Sequence, residues 1–204
     1  MFPTPKVLLA TTNKGKIKEF LGLLSQLNIT ILTPKDLELD LEVDETGVTY
    51  AENAILKAKA YQQLAKMPVL ADDSGLEVDA LQGAPGVWSA RYAPQPGATD
   101  ADRRKYLLEQ LRPYPQPWTA RFRCVVALAN HQGALHLVEG ICEGQIISEE
   151  RGQGGFGYDP VFLVEGGAKT MAELDFEEKN QRSHRARAVH AAIPILEVIA
   201  RSGE

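Results

Sequence analysis

The sequence predicts an α/β fold: a mixed β-sheet flanked by helices. Two observations carry this. Strand-like and helix-like stretches interleave along the chain, and two consecutive strand-like runs, 120–129 and 135–147, flank the turn residues His131-Gln132-Gly133. Interleaving favours parallel pairing through helical crossovers, whereas a hairpin is antiparallel, so one sheet should hold both.

The elements follow in order. Val7-Leu8-Leu9-Ala10 gives a buried strand over 6–10. Ile17, Phe20, Leu21 and Leu24 recur at helical spacing, so 14–27 reads as a helix with Asn13 as its N-cap and Lys14 and Lys16 in the first turn. Ile29–Leu32 is a second strand, followed by an acidic loop over 36–45. Thr49-Tyr50-Ala51-Glu52 has the form of a capping box and opens a helix that runs to about Ala65. Val69-Leu70-Ala71 is a short strand leading into Asp72-Asp73-Ser74-Gly75, and 76–81 is a further strand or a strand-to-turn passage. A Gly/Pro-rich loop over 83–99 precedes a helix over 99–111. After the hairpin come a glycine-rich loop at 152–157 and a strand from Asp159 to Leu163. The last helix covers 184–201, with Ser183 as N-cap, and Pro194 predicts a kink or break inside it.

The 204 residues fit one domain, 1–204, with or without two lobes. A net charge of −5 argues against bulk nucleic-acid binding, which needs a basic surface to displace counterions. No apolar run approaches the ~20 residues that cross a membrane, and the N-terminus lacks the pattern of a signal peptide. The two cysteines, Cys124 and Cys142, sit in apolar surroundings without Cys-x-x-Cys spacing and read as reduced core thiols, which implies a cytoplasmic protein.

Two helix starts carry cations where the helix field is already positive: Lys14 and Lys16 after Asn13, and Arg185 and Arg187 after Ser183. Such ends become favourable when an anion is held by free N–H groups and side chains together, which suggests a polyphosphate site. The pair Asp72-Asp73 reads either as a solvated Asx-turn or as a carboxylate site for a hard divalent cation, with Glu45 as a further donor. Glu52 reads first as the capping partner of Thr49. Gly152–Asp159 lets backbone approach a ligand closely; one ring of Phe156 or Tyr158 would stack on a base while Asp159 meets its edge, or the segment is a tight turn with one aromatic in the core. His184 gains weight as a ligand contact from its place beside Arg185.

Taken in order, these words resemble the Ham1/RdgB-type ITP/XTP pyrophosphatase family. The resemblance rests on Ala-Thr-Thr-Asn-Lys-Gly-Lys (10–16), Glu-Thr-Gly (45–47), Glu-Asn-Ala-Ile-Leu-Lys-Ala (52–58), Ala-Asp-Asp-Ser-Gly-Leu (71–76), Gly-Ala-Pro-Gly-Val-Trp-Ser-Ala-Arg-Tyr (83–92), Gly-Gly-Phe-Gly-Tyr-Asp-Pro-Val-Phe (154–162) and Ser-His-Arg (183–185). It implies an ITPase/Maf-like fold, with a long central sheet, two lobes and an active-site cleft between them, in a cytoplasmic homodimer. It implies Mg2+-dependent hydrolysis of ITP, dITP and XTP to the monophosphate and pyrophosphate. By the same resemblance Thr11, Thr12, Asn13, Lys14, Gly15 and Lys16 hold the triphosphate. Asp73 is metal ligand and proton acceptor, Glu45 supports the metal, and Ser74 contacts substrate. Phe156, Gly157, Tyr158 and Asp159 line the base pocket, Lys179 contacts substrate, and His184 and Arg185 read the 6-oxo edge of the purine. The departures are Thr12 and Ala186 where glycine is common, and Pro194. A Maf-type enzyme for another modified nucleotide, a non-catalytic nucleotide sensor and a protein-binding module are the competing readings.

Overall fold

The computed structural model describes residues 4–201. Six strands form one sheet: β1 (Lys6–Leu9), β2 (Thr30–Leu32), β3 (Val69–Val78), β4 (Trp118–Ala129), β5 (Leu135–Ile146) and β6 (Phe162–Val164), in the order β2-β1-β3-β4-β5-β6. Five α-helices accompany them: α1 (Lys14–Leu24), α2 (Tyr50–Ala65), α3 (Asp100–Leu111), α4 (Phe176–Arg182) and α5 (His184–Arg201). The sheet is mixed, as expected. β1 pairs in parallel with β2 and with β3, while β6 runs antiparallel to β5. Among the described residues no helix is long and apolar enough to cross a membrane.

The chain divides into two compact units. Of the described residues, the first comprises 4–73, 124–140 and 185–201; the second comprises 74–123 and 141–184. Each has its own core. In the first, Val7, Leu9, Leu70, Cys124, Val126 and Leu128 meet Phe20 and Leu24 of α1 and Ala188, Val189, Ala192, Leu196 and Ile199 of α5. The strand residues recur every second position and the helix residues at spacings of three and four, with Ala188 beside Val189, as one buried face of each element requires. In the second, Leu107 and Leu111 of α3 pack with Leu76, Val78, Phe122, Tyr158, Phe162 and Met171.

The local signals hold where they are strongest. Asn13 caps α1, its Oδ1 accepting from the N–H groups of Gly15 (2.9 Å) and Lys16 (3.1 Å). Thr49 and Glu52 form the capping box: Glu52 N–H donates to Thr49 Oγ1 (3.2 Å) and Glu52 Oε2 accepts from Thr49 N–H (3.1 Å). Both cysteines are buried thiols outside any disulfide.

Four expectations are corrected. β3 does not stop at Ala71 but runs through Asp72-Asp73-Ser74-Gly75 to Val78. Pairing with neighbouring strands overrides the low strand preference of Asp, Ser and Gly. The expected strand from Asp159 begins instead as a 3-10 turn, Asp159–Val161, and extends only over Phe162–Val164. α4, absent from the reading of the sequence, is a two-turn helix capped by Asp175, whose Oδ1 accepts from Glu178 N–H at 2.8 Å. α5 is unbroken across Pro194, which lies away from the buried stripe of the helix.

Removing the cap of α2 gives a direct check. Thr49→Ala should lower stability by about 1 kcal/mol. Scanning calorimetry should show a fall in melting temperature of roughly 2–4 °C for a chain of this size.

Candidate active site

In the first unit the strand order β2-β1-β3 reverses direction at β1. In open α/β sheets ligands gather at the carboxyl ends of strands where the order reverses. Ala10 N–H donates to Leu70 O at 2.8 Å, so the loop Thr11–Asn13 leaves β1 level with the residues of β3 that precede Asp72. The turn into α1 then brings Lys16 back to it: Lys16 Nζ lies 2.9 Å from Asp72 Oδ2.

The alternation of β3 sends its two carboxylates to opposite faces. Asp72 projects from the face of Leu70, beneath α1 and α5. It is 1% exposed, and its Oδ2 lies 3.6 Å from Arg185 Nη2 and 3.8 Å from Cys124 Sγ. Arg185, also 1% exposed, pairs in turn with Glu19 of α1. Burial alone would push Asp72 up, but Lys16, Arg185 and Lys57 outweigh it and hold this carboxyl below the usual range. Burial and the Asp72 charge raise the Cys124 thiol to about 12, so it stays protonated beside the carboxylate.

Asp73 faces α2. Asn53 Nδ2 donates to its Oδ2 at 3.0 Å, and Lys57 Nζ is 3.8 Å from its Oδ1. Lys57 also holds Glu45 Oε1 at 2.6 Å. Asn53 and Lys57 lie four positions apart and so share one face of α2. Asn53 also serves a second segment. Its Oδ1 accepts from Gly47 N–H at 2.8 Å, tying the Glu45-Thr46-Gly47 word to the helix. A Cβ on Gly47 would come within 2.6 Å of that Oδ1, so only glycine fits there. Burial raises the Asp73 carboxyl and the Glu45 charge adds to this; Lys57, Lys16 and Asn53 offset it only in part. Lys57 itself is raised: burial works against its charge, but Asp72, Asp73 and Glu45 prevail.

In the second unit the glycine-rich loop makes a different cluster. Asp159 Oδ2 accepts from Phe156 N–H (2.9 Å) and from Lys179 Nζ (2.7 Å). That ammonium stands 5.5 Å from the centre of the Phe156 ring. At Gly155, with φ +73°, a Cβ would collide with the same carboxylate at 1.9 Å. Tyr158 belongs to the core, its hydroxyl donating to Ser89 O at 2.9 Å. His184 is buried and stacks on Phe122, with centroids 4.7 Å apart and planes inclined by 17°.

The residues singled out in the sequence thus fall into two groups. Asn13, Lys16, Glu45, Asp73 and Arg185 gather with Asp72 and Lys57 in the first unit. Phe156, Asp159 and Lys179 gather in the second, and Ser74 follows Asp73 on β3. Two of the first-turn amides of α1 are engaged by Asn13, so the pull of this turn on an anion comes mainly from Lys16, Lys14 and the helix field. Glu19 escapes a reading of the sequence, and Asn53, although inside the 52–58 word, is given no role by it. The signals that could have found them are spacings: Glu19 stands three positions after Lys16, and Asn53 four before Lys57, each on a shared helix face.

Comparison with known proteins gives the family of the chain. The family model described as "Ham1 family" matches residues 7–195. The dITP/XTP pyrophosphatase of Desulforamulus reducens is 50% identical over 192 residues, covering 94% of this chain and 95% of that protein. The Thermus thermophilus protein of the same description is 47% identical, with 92% and 90% covered. Among solved structures, a HAM1 protein from Coxiella burnetii superposes with a TM-score of 0.85 at 41% identity, over 95% of this chain and 99% of that one.

Asp72 should be a large contributor to stability. Replacing it by Asn removes the carboxylate that Lys16 and Arg185 share, and unfolding should show a loss of about 3–5 kcal/mol at neutral pH. The sign with pH follows from its lowered pKa. Its contribution is present above the unfolded carboxyl pKa of about 3.9 and is lost as pH falls through the folded value. The wild type should therefore lose stability steeply below about pH 4, and Asp72→Asn should show a shallower decline over the same range.

Proposed function

The chain belongs to the Ham1 family, and on that premise we propose that it hydrolyses the non-standard purine nucleotides ITP, dITP and XTP to the monophosphate and pyrophosphate. The observation that carries this reading is the divided carboxylate pair. Asp72 is locked among cations, while Asp73 is raised, fixed at one oxygen by Asn53 and set beside Lys57 and Glu45. A carboxylate oriented by one hydrogen bond and raised above its ordinary value is suited to take a proton from an attacking water.

The donor set also fits a hard cation. Glu45 and Asp73 both approach the Lys57 ammonium, and among the described residues no cluster of three or more His, Cys, Asp or Glu side chains is assembled to hold a metal alone. Mg2+ typically takes one or two carboxylates and completes its shell with substrate phosphates and water. Glu45 and Asp73 would hold it, and when bound it would polarise the phosphate and neutralise charge.

The remaining work falls to the chain's own groups. Lys14 and Lys16, with Thr11, Thr12, Asn13 and Gly15 of the same turn, bind the triphosphate. Asp73 accepts the proton of the water that attacks the α-phosphorus, and Lys16 and Lys57 offset the charge developing on the pyrophosphate. Ser74 contacts substrate. Phe156 stacks on the base, with Gly157, Tyr158 and Asp159 shaping the loop and Lys179 fixing it. The family resemblance supports His184 and Arg185 as readers of the 6-oxo edge, with the Arg185 guanidinium held by Glu19 and Asp72. Adenine would set an amino donor against these donors, at a cost of about 1–3 kcal/mol for each unpaired group. The family resemblance supports a cytoplasmic homodimer that takes a small-molecule substrate and neither nucleic acid nor membrane.

Product analysis tests the reading. With Mg2+, ITP and XTP should give monophosphate and pyrophosphate, ATP and GTP little, and EDTA should stop turnover. Diphosphate plus orthophosphate would contradict attack at the α-phosphorus. Asp73→Asn should retain nucleotide binding while turnover falls by about 10²–10⁴-fold; near-normal turnover would remove Asp73 from proton transfer.

A further inference from the structure

Phe156 sits in a loop that has little rigidity of its own. Gly152, Gly155 and Gly157 all have positive φ (+83°, +73° and +62°), and glycine loses more backbone freedom on ordering than any other residue. Something outside the loop must hold the ring still. On its N-terminal side the Phe156 N–H is held by Asp159. On its C-terminal side both polar groups of Gly157 are held by α3: the N–H donates to Asp100 Oδ2 at 2.7 Å, and the carbonyl accepts from Arg104 Nη1 at 2.8 Å.

Asp100 and Arg104 are one turn apart on the stripe that continues through Leu107 and Leu111. The apolar half of this stripe enters the core of the second unit, and the charged half grips the loop. Arg104 does more than hold Gly157. Its Nε and Nη2 form a two-pronged pair with Glu150, at 2.9 Å each, so one guanidinium fastens both the entry to the loop and the peptide after Phe156. Burial opposes the charge on Asp100, but the Gly157 N–H together with Arg103 and Arg104 keeps this carboxyl below its ordinary value.

We infer that Asp100 and Arg104 are positioning residues for base recognition: together they clamp the Gly157 peptide and so fix the Phe156 ring. The inference rests on the proposed role of Phe156 in stacking on the purine. It assigns these side chains an effect on the affinity for the base and none on the chemistry at phosphorus.

Steady-state kinetics with ITP test this, with inorganic pyrophosphate as a competing probe that carries no base. In Arg104→Ala, KM for ITP should rise about tenfold, the loss expected when a charge-assisted hydrogen bond is removed. kcat and the inhibition constant of pyrophosphate should stay within about twofold of the wild type, since both report on the phosphate end. Arg104→Lys, which keeps a donor for Gly157 O, should recover most of the lost affinity. An unchanged KM overturns the inference, and so does a KM that rises in step with the pyrophosphate constant, which would mark a general structural defect. Glu150→Gln removes only the second grip of Arg104 and should raise KM by a smaller factor. It serves if Arg104→Ala does not fold, and an unchanged KM there is equally contrary. Failure of the wild type to turn over ITP would instead overturn the proposed function.

Discussion

One buried oxygen organises the first unit. Oδ2 of Asp72 receives Lys16 from α1 and lies against Arg185 from the first turn of α5 and Cys124 from β4. Removing a carboxylate from water costs several kcal/mol even after the protein relaxes, and a cation left without its partner costs as much. The group is tolerated here because separate elements deliver their charges to one point, and Glu19 balances the second cation. The positions of α1 and α5 relative to β3 are thereby coupled. The turn Asn13–Lys16 is held in register with the strand that carries Asp72 and Asp73.

The same strand explains how adjacent, chemically identical residues take different parts. A period of two puts Asp72 and Asp73 on opposite faces. One face meets the cationic starts of two helices; the other meets α2, whose Asn53 and Lys57 orient the carboxylate while leaving it raised by burial and by Glu45. The anchored carboxylate and the one proposed to accept a proton are thus separated by a single step along the backbone. The glycine-rich loop follows a comparable logic in the second unit. Its backbone is held by Asp159, Lys179 and the charged end of α3, and the glycines are needed for their positive φ and for close approach to a carboxylate.

What was legible in the sequence was local. The Asn13 cap, the Thr49/Glu52 box, the hairpin and the limits of α5 depend on residues a few positions apart, and all appear in the structure. The length of β3 was not legible, because Asp-Asp-Ser-Gly becomes strand only through pairing with neighbours distant in sequence. The Glu19–Arg185 pair joins residues 166 positions apart, and Arg104 reaches a carbonyl 53 positions away. No periodicity or cap motif encodes such partners. α4 was missed for a different reason: seven residues, mostly charged, leave no apolar stripe to detect. The collinear family words located the first-unit cluster, but they did not reveal that Asp72 would be an anchor or that Asn53 would orient Asp73.

The division of labour between the two carboxylates can be measured at the carboxyl carbons themselves. Aspartate labelled with 13C at the side-chain carboxyl, with the two signals assigned through Asp72→Asn and Asp73→Asn, would be titrated by NMR in the absence of metal. Asp73 should titrate above the ordinary aspartate value of about 3.9, and Asp72 should remain ionised well below it. The reverse order, or two coincident titrations near the ordinary value, would contradict the assignment of one carboxylate to the framework and the other to the reaction.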